Sequence, residues 1–263
     1  MKFTVESKIL KEAIESIQVK GKSTTNNGFG NTSLGNYAHI ILAGNNLQIW
    51  NGDSTFCVKI NLTVEGERDG HCVVDVSMVI PYLNSFGENT IVNVDDFMSL
   101  SSGRKKASVP LITNHPNEQA LDTLKNMLLH INYTPNPNVL FNFGKSKFEV
   151  AFTISQEQLN DAIKTCELVK TGVYKFDFNK SKEEPYAGTL EVSSRQNATN
   201  KYDEIITPVF TTGDGGATLE FSSPIHKFFQ KGQMLNIYMK DEFPLLIVSN
   251  NRLLLKAPFV SGD

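Results

Sequence analysis

A strand, a helix, a strand pair, a second short helix and a closing hairpin follow one another in the first half of the chain, and again in the second. One such match arises readily by chance. The whole series repeated in the same order points to duplication, which restricts the chain to folds built from two copies of one unit.

In the first copy Phe3 and Val5 alternate as in a strand, and Ser7 stands where a helix cap belongs. Ile9, Leu10, Ala13, Ile14 and Ile17 then form one apolar face at helical spacing. In the second copy Val150, Phe152 and Ile154 alternate, and Ser155 precedes Gln158 in capping-box order. Leu159, Ala162, Ile163 and Cys166 repeat the helical face. Strand pairs follow at 40–50 and at 173–178 with 188–192. The second helices are short: Ser77 leads into 78–83 and Ser223 into 224–229. The later one has Pro224 at its first position and Gly232 just past its end. Pro81 lies deeper in the earlier one and weakens it. Closing strands at 90–94 and 97–110 match those at 234–239 and 243–258.

This order is not a βαβ crossover repeat. It predicts an α+β fold of mainly antiparallel sheets with the helices gathered on one face. The domains are read as 1–111 and 146–263. Between them a connector, 112–145, contains His115-Pro116-Asn117, a predicted helix over 118–129 and Pro135-Asn136-Pro137. Its Leu121, Leu124, Met127 and Leu128 predict that it packs down, since a connector of this length has local structure or a task of its own.

A net charge of −3 argues against a chain that coats nucleic acid over its whole surface, but not against a local basic face. The amino terminus is charged almost at once and no window holds 18 uninterrupted apolar residues, so a soluble, intracellular protein without membrane contact is expected. Cys57, Cys72 and Cys166 are odd in number and lack CxxC spacing; they read as buried apolar side chains. Asp95-Asp96, Asp214 and Glu220 fit no metal-binding spacing and read as solvated turns. The glycine-rich stretch 28–35 lacks the Gly-Lys-Ser/Thr ending of a phosphate loop, and five scattered histidines suggest no nucleophile. No catalytic residue, metal ligand or cofactor is expected, and the chain reads as non-enzymatic.

Three stretches resemble the DNA sliding clamps, the family of proliferating cell nuclear antigen and the phage, archaeal and bacterial ring clamps. They are the opening 1–6 with the helix at 9–17, the repeated second helix and hairpin, and the ending 243–248 with Leu253-Leu254-Leu255-Lys256-Ala257-Pro258-Phe259-Val260. The long connector, Pro81 and the loop 20–36, rich in Gly, Asn and Thr, make the chain look more like a divergent phage or viral clamp. The resemblance implies duplicated clamp domains with sheets outside and two helices per domain lining a central channel. It implies a ring around double-stranded DNA without sequence preference; six domain copies per ring make two per chain a homotrimer. DNA polymerase and a clamp loader are the implied partners. The implied location is the host cytoplasm for a phage protein, or the nucleus or replication site for a eukaryotic virus.

The resemblance also assigns residues. Lys8, Lys11, Lys20, Lys164, Lys170, His226, Lys227 and Lys231 become a sequence-blind phosphate-facing lining. The same residues read equally as a solvated helix surface, because Glu12, Glu15, Glu157, Asp161 and Glu167 lie among them. Leu47, Pro244, Leu255, Pro258 and Phe259 fall where the family receives an apolar partner peptide, although each also fits a core. The stretches 105–113 and 173–179 correspond to the strands paired across the subunit boundary, with Lys106, Val109, Leu111, Tyr174, Phe176 and Phe178 at the contact. Alternating aromatics in the second also suit an internal sheet face. Arg104-Lys105-Lys106 either touches phosphate or guards an edge against unwanted pairing. Two other functions stay open: a monomeric DNA-binding polymerase accessory subunit, and a structural protein with duplicated β domains.

Overall fold

The first helix of each half starts as a continuation of a strand. A computed structural model describes residues 1–18, 37–52, 56–113, 119, 122–123, 125–126, 139–184, 186–222 and 228–259. Among these the chain forms two compact units, Met1–Thr123 and Leu124–Asp263.

In the first unit β1 (Lys2–Glu6) runs into α1 (Ser7–Ser16), followed by β2 (Tyr37–Ala43), β3 (Asn46–Gly52), β4 (Phe56–Thr63), β5 (Glu65–Arg68) and β6 (Gly70–Asp75). Then come α2 (Val76–Ser85), β7 (Asn89–Val94), β8 (Phe97–Ser102) and β9 (Lys105–Pro110). In the second unit a small hairpin of β10 (Asn142–Phe143) and β11 (Ser146–Lys147) precedes β12 (Val150–Ser155) and α3 (Gln156–Cys166). There follow β13 (Val173–Lys180), β14 (Gly188–Arg195), β15 (Lys201–Ile206), β16 (Phe210–Gly213), β17 (Gly216–Ser222), β18 (Met234–Met239), β19 (Leu245–Val248) and β20 (Arg252–Lys256).

The strand orders are the same in both units. The first contains β5-β1-β7-β8-β9 and β4-β3-β2-β6; the second contains β16-β12-β18-β19-β20 and β15-β14-β13-β17. Register agrees as well. Glu6 faces Asn89 and Phe3 faces Val92, while Ser155 faces Met234 and Phe152 faces Ile237. The ladder extends one residue into each helix: the Ser7 amide donates to the Glu88 carbonyl at 2.8 Å, and the Gln156 amide to Gln233 at 2.9 Å. This is an α+β fold of antiparallel sheets with a few short helices.

That equivalence explains where the expected caps depart from the observed ones. Ser155 makes the full capping box with Gln158, and its counterpart in the first unit is Glu6, not Ser7. Ser7 is buried and its Oγ lies 2.8 Å from Thr90 Oγ1. Ile9 is exposed, because at about 100° per residue it falls about 90° from the centre of the face formed by Leu10, Ala13, Ile14 and Ile17. The α2 helix begins at Val76 with Asp75 as its cap, and the Asp75 carboxylate accepts from the Ser77 amide and hydroxyl, so Ser77 lies inside the helix and not ahead of it. Pro81 stays within α2 on its exposed side. The expected fourth helix lies mostly outside the described residues, as does most of the connector, of which 119, 122–123 and 125–126 are helical.

Each core sits between its sheets and helices. In the first unit Phe3, Ile14, Ile17, Ile49, Val79 and Leu100 are wholly buried; in the second, Phe152, Ile163, Phe176, Leu219 and Ile237 are. Phe152 stacks on Phe178 at 4.6 Å and Phe176 meets Phe221 edge-on at 4.7 Å. Cys57, Cys72 and Cys166 are buried thiols, and burial pushes Cys72 up to about 12 and Cys166 up to about 11.

Candidate nucleic-acid face and partner surface

Helices α1 and α3 owe their exposed faces to the same arithmetic that buries their apolar ones. On α1, Lys8 and Lys11 stand against Glu12 and Glu15, and Lys11 lies 3.8 Å from Glu15. The α2 helix carries no charge at all and exposes Met78, Pro81 and Tyr82. On α3, Lys164 shares its surface with Glu157 and Asp161, and Lys170 follows in a left-handed turn at φ 61°. Lys231 belongs to the turn that Glu157 clamps: the Gly232 amide donates to its Oε1 at 2.7 Å, and Gly232 supplies the φ of +77° that the turn needs. That amide, with the Glu157 amide and then Lys231, holds the Glu157 carboxyl below its ordinary range. Lys20, His226 and Lys227 lie outside the described residues. The described helix faces therefore mix acidic and basic side chains in similar number.

The second unit carries a separate, buried apolar cluster on the sheet face opposite Phe152. Leu255 pairs with Leu246, which pairs with Tyr238, so the three side chains share that face. Phe141 packs on Tyr238 at 5.0 Å and Phe148 at 5.9 Å; Phe148 and Phe143 both meet Phe243. Pro244 and Pro258 flank this cluster in sequence and are half-buried, and Phe259 is exposed, its amide bonded to the Glu220 carbonyl at 2.6 Å. Tyr238 is fully buried, its phenol pushed up to about 12 by burial, and its hydroxyl has no hydrogen-bond partner among the described residues.

Asp95 is held by Asn93 at 2.8 Å and by Arg68 at 2.5 Å, bonds that lower its carboxyl and make it a turn anchor. Among the described residues no group of three or more His, Cys, Asp or Glu side chains is placed to hold a metal ion, and no helix is long and apolar enough to cross a membrane.

The chain matches solved structures over its whole length. The β subunit of DNA polymerase III from Thermotoga maritima matches 100% of this chain and 66% of its own, with a TM-score of 0.71 at 14% identity. PCNA from A. fulgidus, in a structure with the C-terminal region of FEN-1 bound to it, matches 100% of this chain and 99% of its own, with a TM-score of 0.68 at 14% identity. The DNA polymerase sliding clamp of Pseudomonas aeruginosa matches 99% of this chain and 67% of its own, with a TM-score of 0.69 at 10% identity. The fold is that of the sliding clamps. The chain spans about two-thirds of the length of the bacterial subunits it matches, and nearly all of the archaeal one. Neither a family model nor a curated protein matches the sequence.

Within the clamp fold two sequence assignments need correction. Tyr174, Phe176 and Phe178 do not lie on an edge: β13 is paired on one side with β14 and on the other with β17, and all three rings are buried. Alternating aromatics mark a strand whose face packs inside, and the edge of that sheet is β15. Leu47 shares the face of Ile49 and Asn51, the last of which donates to the Ile17 carbonyl of α1, so Leu47 is a core residue of the first unit. By contrast β9 is an edge strand; Lys106 is exposed on it, Leu111 is half-buried just beyond it and Val109 points into the core. Tyr238, Phe141 and β15 were missed. Tyr238 reads as one more apolar strand residue, and 201–206 mixes Lys, Asp and Glu with no alternation of hydrophobicity.

Proposed function

We propose that the protein is a sliding clamp, a non-enzymatic processivity factor whose copies close into a ring around duplex DNA without sequence preference. The observation that carries this reading is the two-way, near-complete match to a PCNA chain, on a duplication whose strand orders repeat exactly. The helix faces of α1 and α3 contact phosphate weakly, and encirclement replaces affinity: a tethered polymerase stays at high local concentration while the ring slides. Two domains per chain make the ring a trimer. DNA polymerase and the loader dock through short peptides beside Pro244, Pro258 and the exposed Phe259, over the buried cluster of Leu255, Leu246 and Tyr238. The archaeal protein that this chain matches has the C-terminal region of FEN-1 bound to it. Native mass spectrometry tests the reading. A trimer at micromolar concentration is expected; a monomer throughout that range rejects the ring and leaves the accessory-subunit alternative.

A further inference from the structure

The floor of the candidate partner site is closed in the free chain. Leu246 and Tyr238 are fully buried and Leu255 is only 4% exposed, so a peptide that reaches them has to displace what covers them. Part of that cover comes from the β10–β11 hairpin. Phe141, at its start, packs on Tyr238 at 5.0 Å, and Phe143 meets Phe243 edge-on at 5.8 Å. Both are half-buried. Phe148, which follows the hairpin and also touches Tyr238 and Phe243, is by contrast buried and leads directly into β12.

The hairpin does little to hold itself in place. Its strands are two residues each, pairing Asn142 with Lys147 and Phe143 with Ser146 around Gly144 at φ 62°, and the Phe148 amide donates to the Phe141 carbonyl at 3.0 Å. A ribbon this short is not stable alone, so the rings against Tyr238 and Phe243 fix its position. What lies beneath is imperfectly satisfied. The buried Tyr238 hydroxyl has no hydrogen-bond partner among the described residues, a cost that the closed arrangement carries and that opening to water removes. A short element over such a group belongs to the low end of local stability.

Resting on the reading that partner peptides dock here, we infer that the β10–β11 hairpin is an internal occupant of the partner site, which a docking peptide displaces. Movement stops at 148–149, where Phe148 is buried and the Glu149 amide donates to the Met239 carbonyl at 3.1 Å. The incoming peptide puts an apolar side chain in the place of Phe141 and, above Tyr238, a carbonyl or carboxylate oxygen that accepts from the hydroxyl. Phe141 has no such acceptor in its side chain, and this bond favours the peptide over the hairpin. Apparent affinity is then the affinity of the open site reduced by the fraction of molecules in which the hairpin is open.

The test uses the full chain and a fluorescein-labelled synthetic peptide of the C-terminal segment of the replicative polymerase from the same genome. Phe141→Ala removes the ring that closes the site without emptying the core, since Phe141 is only half-buried. The variant is expected to bind the peptide about three- to tenfold more tightly than wild type by fluorescence anisotropy, with an unchanged circular dichroism spectrum. In wild type, the Phe148 amide is expected to exchange hydrogen faster than the amides of β18, and faster still once the peptide is bound, because its acceptor on Phe141 has moved away. A folded variant that binds equally or more weakly, or a Phe148 amide that the peptide leaves unchanged or protects, makes the hairpin a fixed wall and overturns the inference while peptide docking stands. A peptide that binds neither protein overturns the docking reading, and the displacement with it.

Discussion

Tyr238 sits in the aromatic cluster of the second unit with a hydroxyl that finds no acceptor among the described residues. A buried hydroxyl without a partner carries its desolvation cost uncompensated, so Tyr238→Phe is expected to raise the stability of the free protein by about 1 kcal/mol in urea unfolding. A docked peptide that places a polar group over this face gives the hydroxyl its partner, and the same variant then binds polymerase tail peptide more weakly by calorimetry. The opposite pattern, a less stable protein with unchanged peptide affinity, removes Tyr238 from the site. Leu255→Ala is the poorer probe. Leu255 is only 4% exposed, so truncation opens a cavity costing about 2–5 kcal/mol and confounds binding with folding.

At the scale of the element, α3 is fastened at its start by the Ser155–Gln158 box and by Glu157, which reaches across to the Gly232 amide. The folded Glu157 carboxyl lies below its ordinary value of 4.5, so its contribution to stability is fully present above that value. It is lost as pH falls through the folded pKa. Glu157→Gln is therefore expected to flatten the acid limb of a plot of melting temperature against pH while changing little at pH 8; parallel acid limbs in the two proteins refute this. What was legible in the sequence follows the same division. The box at Ser155 is a local signal and is legible, whereas Ser7 looks like a cap because the hydroxyl it bonds with, Thr90 Oγ1, lies far away in sequence. Strands β5, β15 and β16 carry too little alternation to announce themselves, whereas β4 and β17 alternate clearly through Val58, Ile60 and Leu62 and through Ala217, Leu219 and Phe221. Strand β13 was set at an edge by the resemblance, while its own pattern suits an internal face as well. Its aromatic alternation is strong, but alternation reports that one face is buried and says nothing about whether the strand has one neighbour or two.

For the whole molecule, the balanced charge of the described helix faces separates two quantities that a strongly basic protein would merge, the affinity for DNA and the time spent on it. Lys8 and Lys11 are matched by Glu12 and Glu15, and Lys164 by Asp161 and Glu157. Few phosphates are then neutralised at a time. With about two to four net contacts, the logarithm of affinity for linear duplex falls against the logarithm of salt with a slope of roughly −2 to −4. Retention on a circle obeys a different rule, because a closed ring leaves only by opening. Loaded protein is therefore expected to stay on nicked circular DNA across salt concentrations that abolish binding to a linear fragment. It is expected to fall off where sedimentation shows the ring itself dissociating, since ring closure and not the phosphate contacts sets that limit. Fluorescence anisotropy on linear duplex and gel filtration of loaded circles measure the two separately. A slope near −8 on linear DNA would show an extended basic lining. Equal loss from circles and linear fragments at every salt concentration would show binding by contact, and encirclement would no longer explain the protein.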